Sequence, residues 1–185
     1  MKLVGYRISG FDNGTCMFDA YPSNSTCSKC GMRLDLLAYN PLYVSGKFRR
    51  SSLLYTYDGF PIVSQQFKDF IELQGFPNVD CHAFVNDPRR FFLTSKNIVP
   101  YDCNSPYLER DEYCSACERF VSVATGSKNA FVTLREPLPN GIFQTDLTFG
   151  HQNEQSPILL VGIETKRLME KFGLRGISYG RAYRR

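Results

Sequence analysis

The sequence predicts an α+β fold: a mixed, largely antiparallel sheet with two main helices. Two segments carry apolar residues at helical spacing and end at a glycine. Many short apolar segments, separated by Pro, Gly, Asn and Ser, are typical of strands. These strands arrive in runs rather than alternating with helices, which disfavours a doubly wound parallel sheet. With 185 residues, of which 43% are hydrophobic, we expect a single domain over residues 1–185.

The first predicted helix spans residues 65 to 74. Its N-terminus can be capped by Ser64, whose hydroxyl accepts a hydrogen bond from a free backbone N–H. Gly75 stands where a helix commonly ends in a left-handed glycine, and residues 76–85 follow as a strand. The apolar stripe of this helix consists of Phe67, Phe70 and Ile71.

A similar unit recurs near the end of the chain. Residues 157–162 form a predicted buried strand, residues 164–172 a helix, and residues 174–183 a strand after Gly173. Aligning Gly75 with Gly173 places the two units 98 positions apart. Internal duplication explains this similarity, and so does the generic likeness of any two helix-glycine-strand units.

Further strands are predicted between and before these units. They cover Leu3–Ile8, Met17–Tyr21, Arg90–Leu93, Phe120–Ala124, Phe131–Leu134 and Ile142–Leu147, and the segment Leu34–Phe48 is predicted to form strands and turns.

Composition and charge disfavour a membrane protein and a dedicated nucleic-acid binder. Lys and Arg number 22 against 18 Asp and Glu, so the net charge of +4 falls short of a concentrated basic face. The longest uncharged apolar run, Pro157–Ile163, is far below the ~20 residues of a membrane helix. Arg7 interrupts the apolar stretch that a signal peptide would need. We therefore expect a cytoplasmic protein with no membrane partner.

Four of the seven cysteines form two CxxC pairs. We call Cys27–Cys30 the first knuckle and Cys114–Cys117 the second. A CxxC turn can direct two sulfurs at one ion, and two turns complete the tetrahedral four-thiolate shell of structural zinc. The sequence therefore predicts one structural zinc per chain and a zinc-binding lobe built from the segments around 27–30 and 114–117. The predicted ligands are Cys27, Cys30, Cys114 and Cys117.

Other roles for the CxxC pairs remain open at this stage: a redox motif, buried free thiols or coincidence. The two pairs lie 83 residues apart, further than in a local zinc ribbon. Gly31 can adopt positive φ directly after the first knuckle, whereas Glu118 after the second can do so only at a cost. The remaining cysteines, Cys16, Cys81 and Cys103, lack a CxxC partner and are not expected to bind metal.

No enzyme signature is present. The phosphate-loop, dinucleotide, zincin and hydrolase-elbow motifs are all missing from the sequence. The only two histidines, His82 and His151, have no local partner that would make a nucleophile pair. We expect His151 to lie in an exposed polar loop, residues 150–156, where it is a candidate partner-binding residue.

The knuckles and the C-terminal region resemble a known family. The widely separated CxxC pairs, the first of which continues as Cys27-Ser28-Lys29-Cys30-Gly31, precede Gly141-Ile142-Phe143-Gln144-Thr145-Asp146-Leu147 and a strand-helix-Gly-strand ending. Together they resemble the double-CxxCG bacterial proteins, most clearly over residues 27–30 and about 141–181. Glu118 departs from the family's glycine.

The resemblance implies a function and a ligand set. Members of this and related groups are similar to immunity proteins, which are encoded beside toxins of contact-dependent or secretion-delivered competition and neutralise the cognate toxin by binding it. Carried to this chain, the resemblance implies four zinc thiolates at the two knuckles and no catalytic residue.

We therefore expect a non-enzymatic immunity-type protein that binds and neutralises a cognate toxin. The alternative is a zinc-knuckle nucleic-acid-binding or regulatory module, although the acidic residues interleaved at Glu109–Glu112 would weaken contacts with phosphates. Tyr107 and Arg110 are candidate partner-binding residues. They belong to a predicted loop, Asp102–Glu112, that leads into the second knuckle and that zinc would make rigid.

Overall fold

The computed structural model describes residues 1–17, 25–35, 43–44 and 50–184. Within these residues the chain forms two α-helices and thirteen strands in mixed, mostly antiparallel sheets, so the predicted α+β class is confirmed. The predicted strand Met17–Tyr21 and the predicted strands and turns of Leu34–Phe48 lie almost wholly outside the described residues.

The elements are β1 (Lys2–Ser9), β2 (Phe11–Asp12), β3 (Leu53–Tyr55), β4 (Pro61–Ser64), α1 (Gln65–Gln74), β5 (Val79–Ala83), β6 (Arg90–Ser95), β7 (Ile98–Val99), β8 (Leu108–Cys114), β9 (Arg119–Thr125), β10 (Ala130–Val132), β11 (Ile142–His151), a 3-10 turn (Gln152–Glu154), β12 (Ser156–Val161), α2 (Ile163–Phe172) and β13 (Ser178–Arg184).

Two sheets contain these strands. The larger has the order β10-β13-β1-β12-β11-β9-β8, with β7 paired to β11 at one side. The smaller has the order β2-β3-β4-β6-β5. Among the pairings of the described strands, β10 with β13, β7 with β11 and β2 with β3 are parallel. The others are antiparallel, as the sequence predicts.

Local hydrogen bonds explain where α1 begins and where both helices end. The Ser64 hydroxyl accepts a hydrogen bond from the backbone N–H of Phe67, 3.3 Å away, and so caps α1 as predicted. Gly75 ends α1 with a φ of 63°, and Gly173 ends α2 with a φ of 83°. Each glycine adopts the left-handed conformation that lets backbone N–H groups bond to the last helical carbonyls.

The two strand-helix-strand units share more than their glycines. In one unit β4 and β5 flank β6, and in the other β12 and β13 flank β1, with antiparallel pairing throughout. Asn78 (φ 60°) and Gly176 (φ 71°) both have positive φ and are again 98 positions apart. This agreement in topology and in a second turn favours internal duplication over a generic likeness.

One hydrophobic core joins the two units. It includes residues of both helices and of strands from both sheets, such as Val63, Leu93 and Val161. Phe70 of α1 lies at its centre, because its ring contacts those of Phe67, Phe76 and Phe172 at centroid distances of 6.3, 5.7 and 5.4 Å. The helices of the two units therefore pack directly on one another.

Several predicted bounds change in the structure. The predicted loop Asp102–Glu112 is wrong over its second half, because β8 begins at Leu108. This strand is mostly exposed and lies at the edge of the larger sheet, so charged residues replace the apolar alternation that predicts strands. The strands after the two helices begin at Val79 and Ser178, later than predicted. After each terminal glycine the chain has a second residue with positive φ, Asn78 or Gly176, before the strand begins.

Candidate metal centre

The first knuckle lies in a small hairpin. Thr26 and Arg33 form a β-bridge across it. Inside this bridge the Cys27 N–H donates to the Met32 carbonyl over 2.7 Å, and the Gly31 N–H donates to the Cys27 carbonyl over 2.8 Å. Gly31 has a φ of 73°, and a Cβ at this position would meet no atom within 4 Å. The requirement for glycine here is therefore conformational rather than steric.

The second knuckle is the turn between β8 and β9. Cys114 is the last residue of β8 and pairs with Arg119, the first residue of β9. Glu118 has a φ of 57°, so it adopts the same left-handed conformation as Gly31 in the first knuckle. Glutamate at this position therefore has the same backbone conformation as the glycine that follows the first knuckle.

The structure brings the two knuckles together, as predicted. The four cysteine sulfurs lie within 4.8 Å of one another. The Cys27 and Cys114 Sγ atoms are 3.9 Å apart, and those of Cys30 and Cys117 are 3.7 Å apart. A tetrahedral ion with metal–sulfur bonds of ~2.3 Å places its sulfurs about 3.8 Å apart. The cluster therefore fits a four-coordinate metal ion, which its four cysteines would hold.

Backbone donors favour the thiolate form at the first cysteine of each knuckle. Hydrogen bonds from the N–H of Cys30 and of the residue before it lower the pKa of Cys27. The equivalent hydrogen bonds, from Cys117 and the residue before it, lower the pKa of Cys114 to about 6. Desolvation instead raises the pKa of Cys30, and that of Cys117 to about 12. A bound cation would displace the protons that these second thiols retain.

Replacing Glu118 with glycine is expected to stabilise the protein by up to about 1 kcal/mol. The left-handed conformation costs a non-glycine residue ~1–2 kcal/mol, which exceeds the entropy that glycine adds to the unfolded chain. Glu109→Gly is the matched control, because Glu109 is an exposed residue within β8, where glycine destabilises. Urea denaturation of both variants should give shifts of opposite sign, and a loss of stability in Glu118→Gly would contradict this account.

Arg33 connects the first knuckle to the sheets. It is 6% exposed. Its Nη2 donates to the Gln155 carbonyl over 3.0 Å, and its guanidinium carbon lies 4.0 Å from the centre of the Phe60 ring. Its backbone N–H donates to the Asn153 side-chain oxygen over 2.9 Å. The first knuckle is therefore fixed relative to the segments that precede β4 and β12 by a buried charge with several partners.

Gln155 connects β9, the strand that follows the second knuckle, to the segment before β12. Its side-chain nitrogen donates to the carbonyls of Phe120 and Val121 in β9, over 2.8 and 2.9 Å. Its side-chain oxygen accepts from the Thr148 hydroxyl over 2.8 Å. The expectation that residues 150–156 form an exposed polar loop is therefore wrong: β11 extends to His151, β12 begins at Ser156, and Gln155 is 7% exposed. The sequence carries no periodic signal for such a residue, since its partners are backbone carbonyls.

The candidate partner-binding residues lie on a three-stranded ribbon formed by β8, β9 and the end of β11. Arg110 pairs with Val123 in β9, and His151, the exposed last residue of β11, pairs with Ser122 in the next row. Tyr107 lies just before β8 and is 47% exposed. The second knuckle forms the turn at the far end of the ribbon, so a bound metal would fix that end.

Two of these residues already make contacts within the chain. The Tyr107 ring stacks on the Phe131 ring, with centroids 5.2 Å apart. Arg110 donates from Nη2 to the Cys103 carbonyl over 3.3 Å, and its guanidinium carbon lies 5.1 Å from the centre of the Phe120 ring. Both side chains are therefore held in place before any partner arrives.

Cys16, Cys81 and Cys103 lie outside the cluster. Cys81 belongs to β5 and packs against the main core, as predicted for a structural thiol. Burial raises the pKa of Cys81 to about 12, from a usual value of 9.0.

The raised pKa of Cys81 predicts a loss of stability at alkaline pH. Below pH 9 the thiol is protonated in both states, so its contribution to stability is intact. Between pH 9 and 12 the unfolded chain releases this proton while the folded chain retains it, so the free energy of unfolding falls as pH rises. Cys81→Ala should flatten this decline between pH 9 and 10, whereas Cys103→Ala should leave it unchanged. Parallel slopes for wild type and Cys81→Ala in urea denaturation would contradict the prediction.

Fold and site together define an α+β protein with four cysteines placed to hold one metal ion. No family model matches the sequence, and no curated protein matches it either. Across the described residues, neither helix combines the length and the apolar character needed to cross a membrane.

Proposed function

We propose that the protein is a cytoplasmic, non-enzymatic immunity-type protein that binds and neutralises a cognate toxin, with one structural zinc ion per chain. The observation that carries this proposal is the four-cysteine cluster. Four protein thiolates occupy every position of a tetrahedral ion and leave none for a substrate or an activated water, whereas catalytic zinc keeps one position open. Such a site stabilises a surface, which is what an inhibitor that acts by occlusion requires.

Zinc is the metal that the ligand chemistry favours. Four thiolates in tetrahedral geometry suit zinc or iron. Zinc performs no redox chemistry and is the usual ion of closed structural sites. Elemental analysis of protein purified without added metal should return about one zinc per chain, and none in the doubly substituted Cys27→Ser/Cys114→Ser variant. Stoichiometric iron, or a folded metal-free protein, would contradict this part of the proposal.

The three-stranded ribbon is the partner-binding surface in this proposal. Its side chains are ordered by stacking and hydrogen bonds, and the second knuckle closes one end. A surface that is ordered in advance loses less conformational entropy on association, and Tyr and Arg supply much of the binding energy at protein interfaces. Tyr113 adds a further tyrosine on β8 that is 57% exposed.

Co-expression tests the proposed function. The cognate toxin is expected to be encoded in the adjacent reading frame, and this chain should relieve the growth arrest that its toxin domain causes. The alternative, a nucleic-acid-binding or regulatory module, predicts salt-sensitive binding to generic RNA or DNA and no rescue. Failure to rescue, together with such binding, would replace the proposal by that alternative.

Alanine at Tyr107 and Arg110 is expected to weaken toxin binding by at least ~1 kcal/mol. Tyr107→Ala should also cost some stability, because it removes the ring stacked on Phe131, so binding is measured on folded, metal-loaded protein. Tyr57→Ala/Arg167→Ala is the matched control, since Tyr57 is 58% exposed and the Arg167 side chain 72% exposed elsewhere on the surface. Unchanged affinity in the Tyr107/Arg110 variant, measured by titration calorimetry, would place the interface elsewhere.

A further inference from the structure

A cleft lined by residues outside the cysteine cluster carries a concentrated positive charge. It has a volume of about 750 Å³ and lies between the first turn of α1, the segment before β3, the turn before β6 and the turn after α2. Of the residues that the structure describes, one with a carboxylate, Asp87, lines it. We call it the arginine cleft. Its four arginines are Arg50, Arg89, Arg90 and Arg175.

Within the described part of the chain, the arginines of the cleft outnumber its carboxylates. Arg89 Nε lies 3.8 Å from the Asp87 carboxylate. Arg90 is half-buried, and its Nη1 donates to the Ser51 carbonyl over 3.0 Å. Desolvation lowers the pKa of Arg90; Asp87 opposes this change and the charge of Arg89 adds to it. Among the described lining residues, one carboxylate thus faces four guanidinium groups, and a backbone contact holds that of Arg90 in position.

The other lining residues that the structure describes add no negative charge. They are serines, glutamines and a glycine. The first turn of α1 contributes Gln65 and Gln66 and contains no acidic residue, whereas α2 carries Glu164 at the equivalent place. The N-terminal end of the helix dipole, which lies at that first turn, adds a weak positive potential. The lining therefore favours an anionic occupant from every side.

We propose that the arginine cleft binds a carboxylate-rich segment of the partner protein. Guanidinium groups take carboxylates in paired hydrogen bonds, and an array of them suits several carboxylates presented along a chain. None of the described residues that line the cleft is aromatic, so this lining offers no ring on which a nucleic-acid base could stack. This inference rests on the proposed function and assigns the partner's chemistry at a second surface, apart from the ribbon.

Fluorescence anisotropy with a labelled hexaglutamate peptide tests the cleft at low salt. The Arg89→Gln/Arg175→Gln variant should bind the peptide at least tenfold more weakly than wild type. Arg167→Gln/Arg181→Gln removes the same charge from exposed arginines outside the cleft and should change affinity less than twofold. An equal loss in both variants would show attraction to net charge alone and would overturn the proposal.

Competition separates the candidate anions. Hexaglutamate should displace the labelled peptide more effectively than inorganic pyrophosphate or a short single-stranded oligonucleotide. Stronger displacement by pyrophosphate would assign the cleft to a phosphate ligand, and stronger displacement by the oligonucleotide would assign it to nucleic acid; either result overturns the proposal.

Rescue from the cognate toxin separates this inference from the proposed function. If wild type and the control variant rescue growth and Arg89→Gln/Arg175→Gln does not, both stand. If all three rescue equally, the cleft does not take part and only the inference fails. If wild type itself does not rescue, the proposed function fails, whatever the peptide shows.

Discussion

Replacing Cys114 with serine is expected to lower the melting temperature of the protein by roughly 10 °C or more. Structural zinc contributes folding free energy directly, because the unfolded chain has no preformed site, and for a chain of this size each kcal/mol corresponds to ~2–4 °C. The loss should be large because the cluster joins two segments that lie 83 residues apart. A chelator should lower the melting temperature of wild type similarly and leave the variant unaffected. Scanning calorimetry measures both.

Cys103→Ser is the control for this experiment. Cys103 is exposed and lies outside the cluster, so its replacement should shift the melting temperature by no more than about a degree. Equal melting temperatures for Cys114→Ser and Cys103→Ser would mean that the cluster binds no metal that matters for folding.

Replacing Phe70 with alanine is expected to destabilise the protein by about 3–5 kcal/mol. The side chain is fully buried, and its ring contacts three other phenylalanines, among them Phe172 of the second unit. The cavity would open between the two helices, so both units should lose stability together in one cooperative transition. Urea denaturation followed by circular dichroism and by tyrosine fluorescence measures this.

Leu73→Ala on the same helix is the matched control. Leu73 is 69% exposed, so its truncation should change stability by less than about 0.5 kcal/mol. If the two probes gave separate transitions for Phe70→Ala, the units would fold independently and the prediction of a single domain over residues 1–185 would be wrong.

Local signals in the sequence predict the helices and the ligand set well. The bounds of α1 match the prediction because Ser64 and Gly75 determine its ends through their own backbone and side-chain hydrogen bonds. The pairing of Cys27–Cys30 with Cys114–Cys117 was predictable because tetrahedral coordination requires four sulfurs and each turn supplies two. Neither inference depends on where the rest of the chain lies.

Features that depend on distant backbone were missed. The edge strand β8 carries charged residues of both signs and no buried stripe, so its pairing with β9 leaves no periodic signal. Arg33 and Gln155 are buried because their partners are carbonyls and rings from other elements, which a linear pattern does not reveal. The arginine cleft likewise collects residues that lie up to 125 positions apart, from Arg50 to Arg175.

The placement of β1 has a consequence for how the chain folds and how it can be rearranged. This strand lies between β12 and β13, with Lys2 opposite Arg184, so the second unit is completed by a strand that precedes the first unit in the sequence. Contacts of such long sequence separation close late and slow folding. A circular permutant that moves residues 1–9 behind residue 184 through a short turn would place β1 directly after β13, as β6 follows β5 in the first unit. Both units would then have the same order of elements, and β1 would pair with strands that are near it in sequence. Faster refolding with unchanged stability is the expected behaviour of that rearranged chain.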